Sequence, residues 1–184
     1  MTTPLVVSEA PTATVSGKLH LFSLYLDFPA SVQARALVCA ITKLAGPEWQ
    51  TSSEMWKLEA FKSSANIRQM MTRDAANADI LILSITSLTH REPALIEWLT
   101  ALAAQKTNQA GLLIGLLGDD HTQPKELDWV VLPLIRHSRQ MGRAAIWHCL
   151  SENTVSTADW LAEDLENVLA RKRGAQEVLA TPHI

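Results

Sequence analysis

Apolar runs alternate with amphipathic stretches along most of this chain. The first run, Leu19-His20-Leu21-Phe22-Ser23-Leu24-Tyr25-Leu26, is short and stops at Asp27-Phe28-Pro29, which predicts a buried strand. Pro29 suits a first helical turn, where its missing N–H costs nothing. Beyond it, Val32, Ala36, Leu37, Ala40, Ile41 and Leu44 recur at helical spacing until Gly46-Pro47. From Trp49 to Leu58 polar and apolar residues mix, as expected of a strand at a sheet edge. Ser63 or Ser64 then caps a second helix with a stripe of Ile67, Met70, Met71, Ala75 and Ala78. Asp79 opens the strongest strand, Ile80-Leu81-Ile82-Leu83-Ser84-Ile85, and Pro93 starts a third helix through Leu95, Ile96, Trp98, Leu99 and Leu102. A fourth strand, Gly111 to Leu117, ends in the turn-forming Gly118-Asp119-Asp120-His121. Leu127 to Met141 has helical character but contains Pro133, so the helix is expected to begin near that proline and end at Gly142. Ala144 to Leu150 forms a fifth strand. Ser156 or Thr157 caps a last helix through Trp160, Leu161, Leu165, Val168 and Leu169, with Arg171-Lys172-Arg173 at its negative end.

Five strands alternating with five helices predict an α/β three-layer sandwich around a five-stranded parallel sheet. The flavodoxin-like order 2-1-3-4-5 fits best, with polar strand two at an edge and apolar strands one, three and four central. Residues 1–17 and 174–184 read as flexible tails around a single domain of residues 18–173. The length of 184 residues agrees with one domain, and 47% apolar residues are too many for a disordered chain. A net charge of −3 argues against a general nucleic-acid binder. No signal peptide or membrane-spanning run is evident, so the expected location is the cytoplasm. Cys39 and Cys149 are too few for a disulfide framework or a zinc site and read as two buried thiols.

In such a sheet, ligands sit beyond the carboxyl ends of the strands near the switch between strands one and three. That rule nominates Asp27 and Phe28 after strand one, Ser84, Thr86 and Ser87 at strand three, Asp119, Asp120 and His121 after strand four, and Ser151 and Glu152 after strand five. Familiar phosphate sites do not fit. The first loop, Asp27-Phe28-Pro29-Ala30-Ser31, has no glycine through which a backbone could approach a dinucleotide or flavin phosphate, and Pro29 removes a donor. There is no P-loop lysine motif, and Ser84 does not lie in a G-x-S-x-G elbow. Asp27, Asp119, Asp120 and His121 are hard-cation ligand types, but their spacing is also that of solvated turns. His137 and His148 read as structural. No cofactor or metal is therefore expected.

Asp79-Ile80-Leu81-Ile82-Leu83-Ser84 resembles the third strand of response-regulator receiver domains, whose phosphoacceptor aspartate stands where this chain has Ser84. Receivers carry an acidic pair after strand one, where this chain has a single Asp27. They carry Ser or Thr after strand four, where it has Gly118, and lysine after strand five, where it has Leu150-Ser151-Glu152-Asn153. The resemblance covers residues 19–173 and is chiefly one of topology. It implies a degenerate receiver-like module without phosphoacceptor chemistry, because a neutral serine cannot form a Mg²⁺-assisted acyl phosphate. The chain is also similar to uncharacterised bacterial proteins of this architecture through Asp27-Phe28, Met55-Trp56-Lys57 and Ala78-Asp79, which implies a common fold and a common partner.

The expected function is a non-enzymatic signalling or interaction module that binds a protein partner, a second copy of the chain being one candidate. The contact surface is expected on the last strand and helix or on the tryptophan-bearing elements, since aromatic residues concentrate at interface centres. The alternative is a small-molecule or metal-binding protein, or a hydrolase-type enzyme, using Asp27, Ser84, Asp119, Asp120 and His121.

Overall fold

The computed structural model describes residues 17–86, 92–105, 111–118, 124–149 and 159–180. Their elements in order are β1 (Gly17–Tyr25), α1 (Phe28–Ala45), β2 (Trp49–Lys57), α2 (Leu58–Phe61), α3 (Ala65–Asn77), β3 (Ile80–Ile85) and α4 (Pro93–Ala103). They continue with β4 (Leu112–Leu117), α5 (Pro124–Gln140), β5 (Ala144–Cys149), a 3₁₀ turn (Asp159–Leu161) and α6 (Ala162–Ala180). The strands form one five-stranded sheet of order β2-β1-β3-β4-β5, and every pairing is parallel. The α/β flavodoxin-like architecture expected from the sequence is the one observed.

The two faces of the sheet divide the core. Leu19, Leu21, Ile80, Ile82, Leu112 and Ile114 point to the side covered by α1 and α6. Phe22, Leu24, Leu81, Leu83, Leu113 and Leu117 point to the side covered by α3, α4 and α5. Strands buried on both faces read as continuous apolar runs, which is why β3 and β4 stand out in the sequence. Trp98 of α4 lies against Phe22 with ring centroids 6.1 Å apart, fixing that helix on the sheet.

Several expectations are corrected. The buried face of α1 is Ala30, Ala34, Leu37, Val38, Ile41 and Ala45, whereas Val32 and Leu44 are exposed. The small alanines face the sheet because they let the helix approach it closely. Cys39 lies on the other side of α1 and is exposed rather than buried; the side chain of Cys149 is outside the described residues. On α3, Met71 and Ala75 are buried but Met70 is exposed. Helix α5 does not begin at Pro133 but runs through it. An internal proline costs about 3 kcal/mol, and burial of Val130 and Leu134, roughly 1.5–3 kcal/mol each, offsets it. Helix α6 continues past Gly174 to Ala180, so Arg171, Lys172 and Arg173 lie within it rather than at its end.

The amino-terminal edge of the sheet is tied by Asp79, which is buried. Its carboxylate accepts from the His20 backbone N–H at 2.8 Å and from Lys172 Nζ at 2.6 Å, fastening β1 and α6 to the start of β3. Beside it, the buried Arg143 guanidinium donates to the Ala76 carbonyl at 3.1 Å at the end of α3, and reaches the Asp79 carbonyl at 3.5 Å. Burial lowers the pKa of Arg143, against the opposing field of Asp79.

Candidate functional site

At the carboxyl ends of β1 and β3 the structure brings Asp27 and Thr86 together. Asp27 is the N-cap of α1 and accepts from the Ala30 N–H at 2.8 Å. Thr86 Oγ1 lies 2.7 Å from both carboxylate oxygens and donates its one proton to them. The carboxylate thus sits where a helix N-terminus would otherwise receive an anion. Pro29 contributes no N–H, and the Ala30 N–H is already taken by Asp27.

The two other nominated residues that the structure describes, Ser84 and Phe28, do not join this pair. Ser84 is fully buried within β3, in register with Tyr25, and its hydroxyl has no hydrogen-bond partner among the described residues. A side chain so placed is not presented to the crevice as a nucleophile or ligand. Phe28 is 79% exposed and does not close over the crevice. Asp119, Asp120, His121, Ser87, Ser151 and Glu152 lie outside the described residues. Among the described residues no group of three or more His, Cys, Asp or Glu is placed to hold a metal ion. His137 is buried, with Nδ1 2.9 Å from Gln140 Oε1 and Nε2 3.3 Å from Arg136 Nη2, partners that make it a structural residue. His148 lies flat against Trp160 at 4.7 Å between centroids, and burial lowers its pKa.

A larger feature lies on the helical layer. Helices α4 and α5 leave between them an open groove of about 880 Å³. Its walls carry Ile96 and Ala101 from α4, Ala104 at the C-cap of that helix, and Trp129, Leu132 and Pro133 from α5. Leu132, a large apolar side chain, is 64% exposed. Among the described residues the rim is acidic, with Glu92, Glu97 and Asp128 and no basic residue in the lining. Glu92 pairs with Lys62 at 3.0 Å, and that hydrogen bond raises the pKa of Lys62. Glu97 and Asp128 form no ion pair among the described residues. The sequence conceals this groove because Ile96 falls within the core-facing stripe of α4. The expected helix break at Pro133 also removes Trp129 and Leu132 from any helical face. The usable signal was Trp129-Val130-Val131-Leu132, an apolar run too broad for one buried stripe.

No protein-family model matches the chain, and no curated protein matches it. Solved structures share its fold. An NADH:FMN oxidoreductase in its apo form matches with a TM-score of 0.52 at 16% identity, covering 85% of this chain and 89% of that one. An oxidoreductase from Corynebacterium diphtheriae matches with a TM-score of 0.54 at 12% identity, covering 88% and 94%. A flavodoxin-like domain from Synechococcus matches with a TM-score of 0.49 at 18% identity, covering 82% and 99%. At these identities the likeness is one of fold. Among the described residues no helix is long and apolar enough to cross a membrane.

Proposed function

We propose that this protein is a cytoplasmic interaction module, a flavodoxin-like fold that works by binding a protein partner rather than by catalysis. The observation that carries the reading is the apolar groove between α4 and α5, open among the described residues on the helical layer. The strand-end crevice supports it from the other side. One fold neighbour is an NADH:FMN oxidoreductase, but a flavin phosphate at the start of α1 would face the Asp27 carboxylate and lack the Pro29 donor. Two anions without an intervening cation repel, so this end of the helix does not fit the group. The receiver-type phosphoacceptor is likewise replaced by a buried serine.

The test is direct. Purified protein titrated with FMN, and separately incubated with acetyl phosphate and Mg²⁺, is expected to leave flavin fluorescence unquenched and to gain no phosphate by intact mass. Saturable stoichiometric flavin binding, or an acid-stable but hydroxylamine-labile phosphate, overturns the proposal.

A further inference from the structure

We infer that the α4–α5 groove takes an amphipathic, basic helix from a partner protein; this rests on the interaction reading above and names the chemistry of the partner. Along α4 and its C-cap, the lining runs through Pro93, Ile96, Glu97, Thr100, Ala101 and Ala104, one continuous helical stripe. The eleven residues of α4 at 1.5 Å each make a trough roughly 16 Å long, the span of about three helical turns. Ala101 and Ala104 keep one wall low, while Leu132 and Trp129 stand on the other. Both walls are helices, whose backbone groups are paired internally, so a guest finds no strand edge to extend. Side chains at i, i+3, i+4 and i+7 of a guest helix match such a trough.

Charge selects the guest. Glu97 and Asp128 stand on opposite walls without an ion-pair partner among the described residues, whereas Glu92 is already neutralised by Lys62. Lys or Arg flanking the apolar face of a guest would meet both acids, and an anionic membrane surface would be repelled by them. The basic stretch in α6 of a second copy is a poor source of that helix. Its Lys172 is engaged with Asp79, and its Arg173 with Glu166 at 3.1 Å and with the ring of Trp49.

The experiment uses the full chain and two fluorescently labelled peptides of about 18 residues, long enough to fill the trough. One has leucine on one helical face and lysine on the other; its counterpart replaces every lysine with glutamate. The lysine peptide is expected to bind at least about tenfold tighter than the glutamate peptide, and less tightly as salt rises. Leu132→Asp, at an exposed position, is expected to weaken it about tenfold, and Glu97→Lys with Asp128→Lys to reverse the preference. Equal binding of both peptides, binding unchanged by Leu132→Asp, or self-association abolished by Leu132→Asp each overturns the inference. The last result would assign the groove to a second copy. Failure here leaves the flavin and phosphodonor results untouched, so the two readings fail separately.

Discussion

Replacing Gly111 with alanine tests how the amino-terminal edge of the sheet is held. A Cβ at this position would fall on Arg143 Nη1 and 2.5 Å from the Asp79 carbonyl oxygen. The carbonyl is backbone and accepts from the Leu112 N–H at 3.0 Å, so it cannot yield without disturbing the β3–β4 ladder. Overpacking of this kind costs about 1–3 kcal/mol. Displacing the buried guanidinium from the Ala76 carbonyl adds about 1.5–3 kcal/mol for a charged hydrogen bond. The combined loss of about 2.5–6 kcal/mol corresponds to a Tm drop on the order of 10 °C for a chain of this length. The assay is urea unfolding followed by tryptophan fluorescence, with Gly174→Ala as the opposite control. Gly174 has nothing within 4 Å and lies inside α6, so alanine there is expected to stabilise by about 0.5–1 kcal/mol. In an Arg143→Met background the cost of Gly111→Ala should shrink to the backbone share. A Gly111→Ala protein within about 0.5 kcal/mol of the parent would refute this account of the edge.

Asp27→Ala removes the cap of α1 and the acceptor for Thr86, and is expected to cost about 1–2 kcal/mol in chemical denaturation. Ser84→Ala, which deletes a buried hydroxyl without a partner, should leave stability unchanged or raise it. Ser84→Asp, which mimics the receiver acceptor, should cost about 3 kcal/mol or more by burying a carboxylate, read from the same urea curves. Lowered by burial, the folded-state pKa of His148 lies below the unfolded value of 6.5, so the unfolded chain takes up the proton first. Its contribution is complete above about pH 6.5 and is lost as pH falls through the folded pKa. Tm measured between about pH 8 and pH 5 should therefore fall less steeply in His148→Gln than in the parent; parallel profiles would contradict the assignment.

Much of the fold is legible in the chain because the information is local. The unbroken runs of β3 and β4 mark strands covered on both faces, and the mixed polarity of β2 marks an edge, so the order 2-1-3-4-5 follows with the handedness of βαβ connections. Asp27 before Pro29, and Ser64 before Ala65, announce helix starts because capping needs only the residues beside it. The rotation of α1 about its axis was not legible. Alanine adds little to a hydropathy pattern, yet Ala30 and Ala34 are where the helix meets the sheet.

Tertiary packing alone decided the rest. Pro133 stays helical because Val130 and Leu134 gain burial against the sheet, a gain that exists only once the sheet is assembled. Lys172 reads as a residue complementing a helix dipole until the fold brings it to Asp79, 93 positions away in sequence. The groove belongs to two helices whose spacing no periodicity within either can encode. Residue patterns therefore determined which segments are strands and helices, and much of which faces are apolar. Which apolar residues find a partner, and which are left for one, depends on distances between elements, and those exist only in the folded protein.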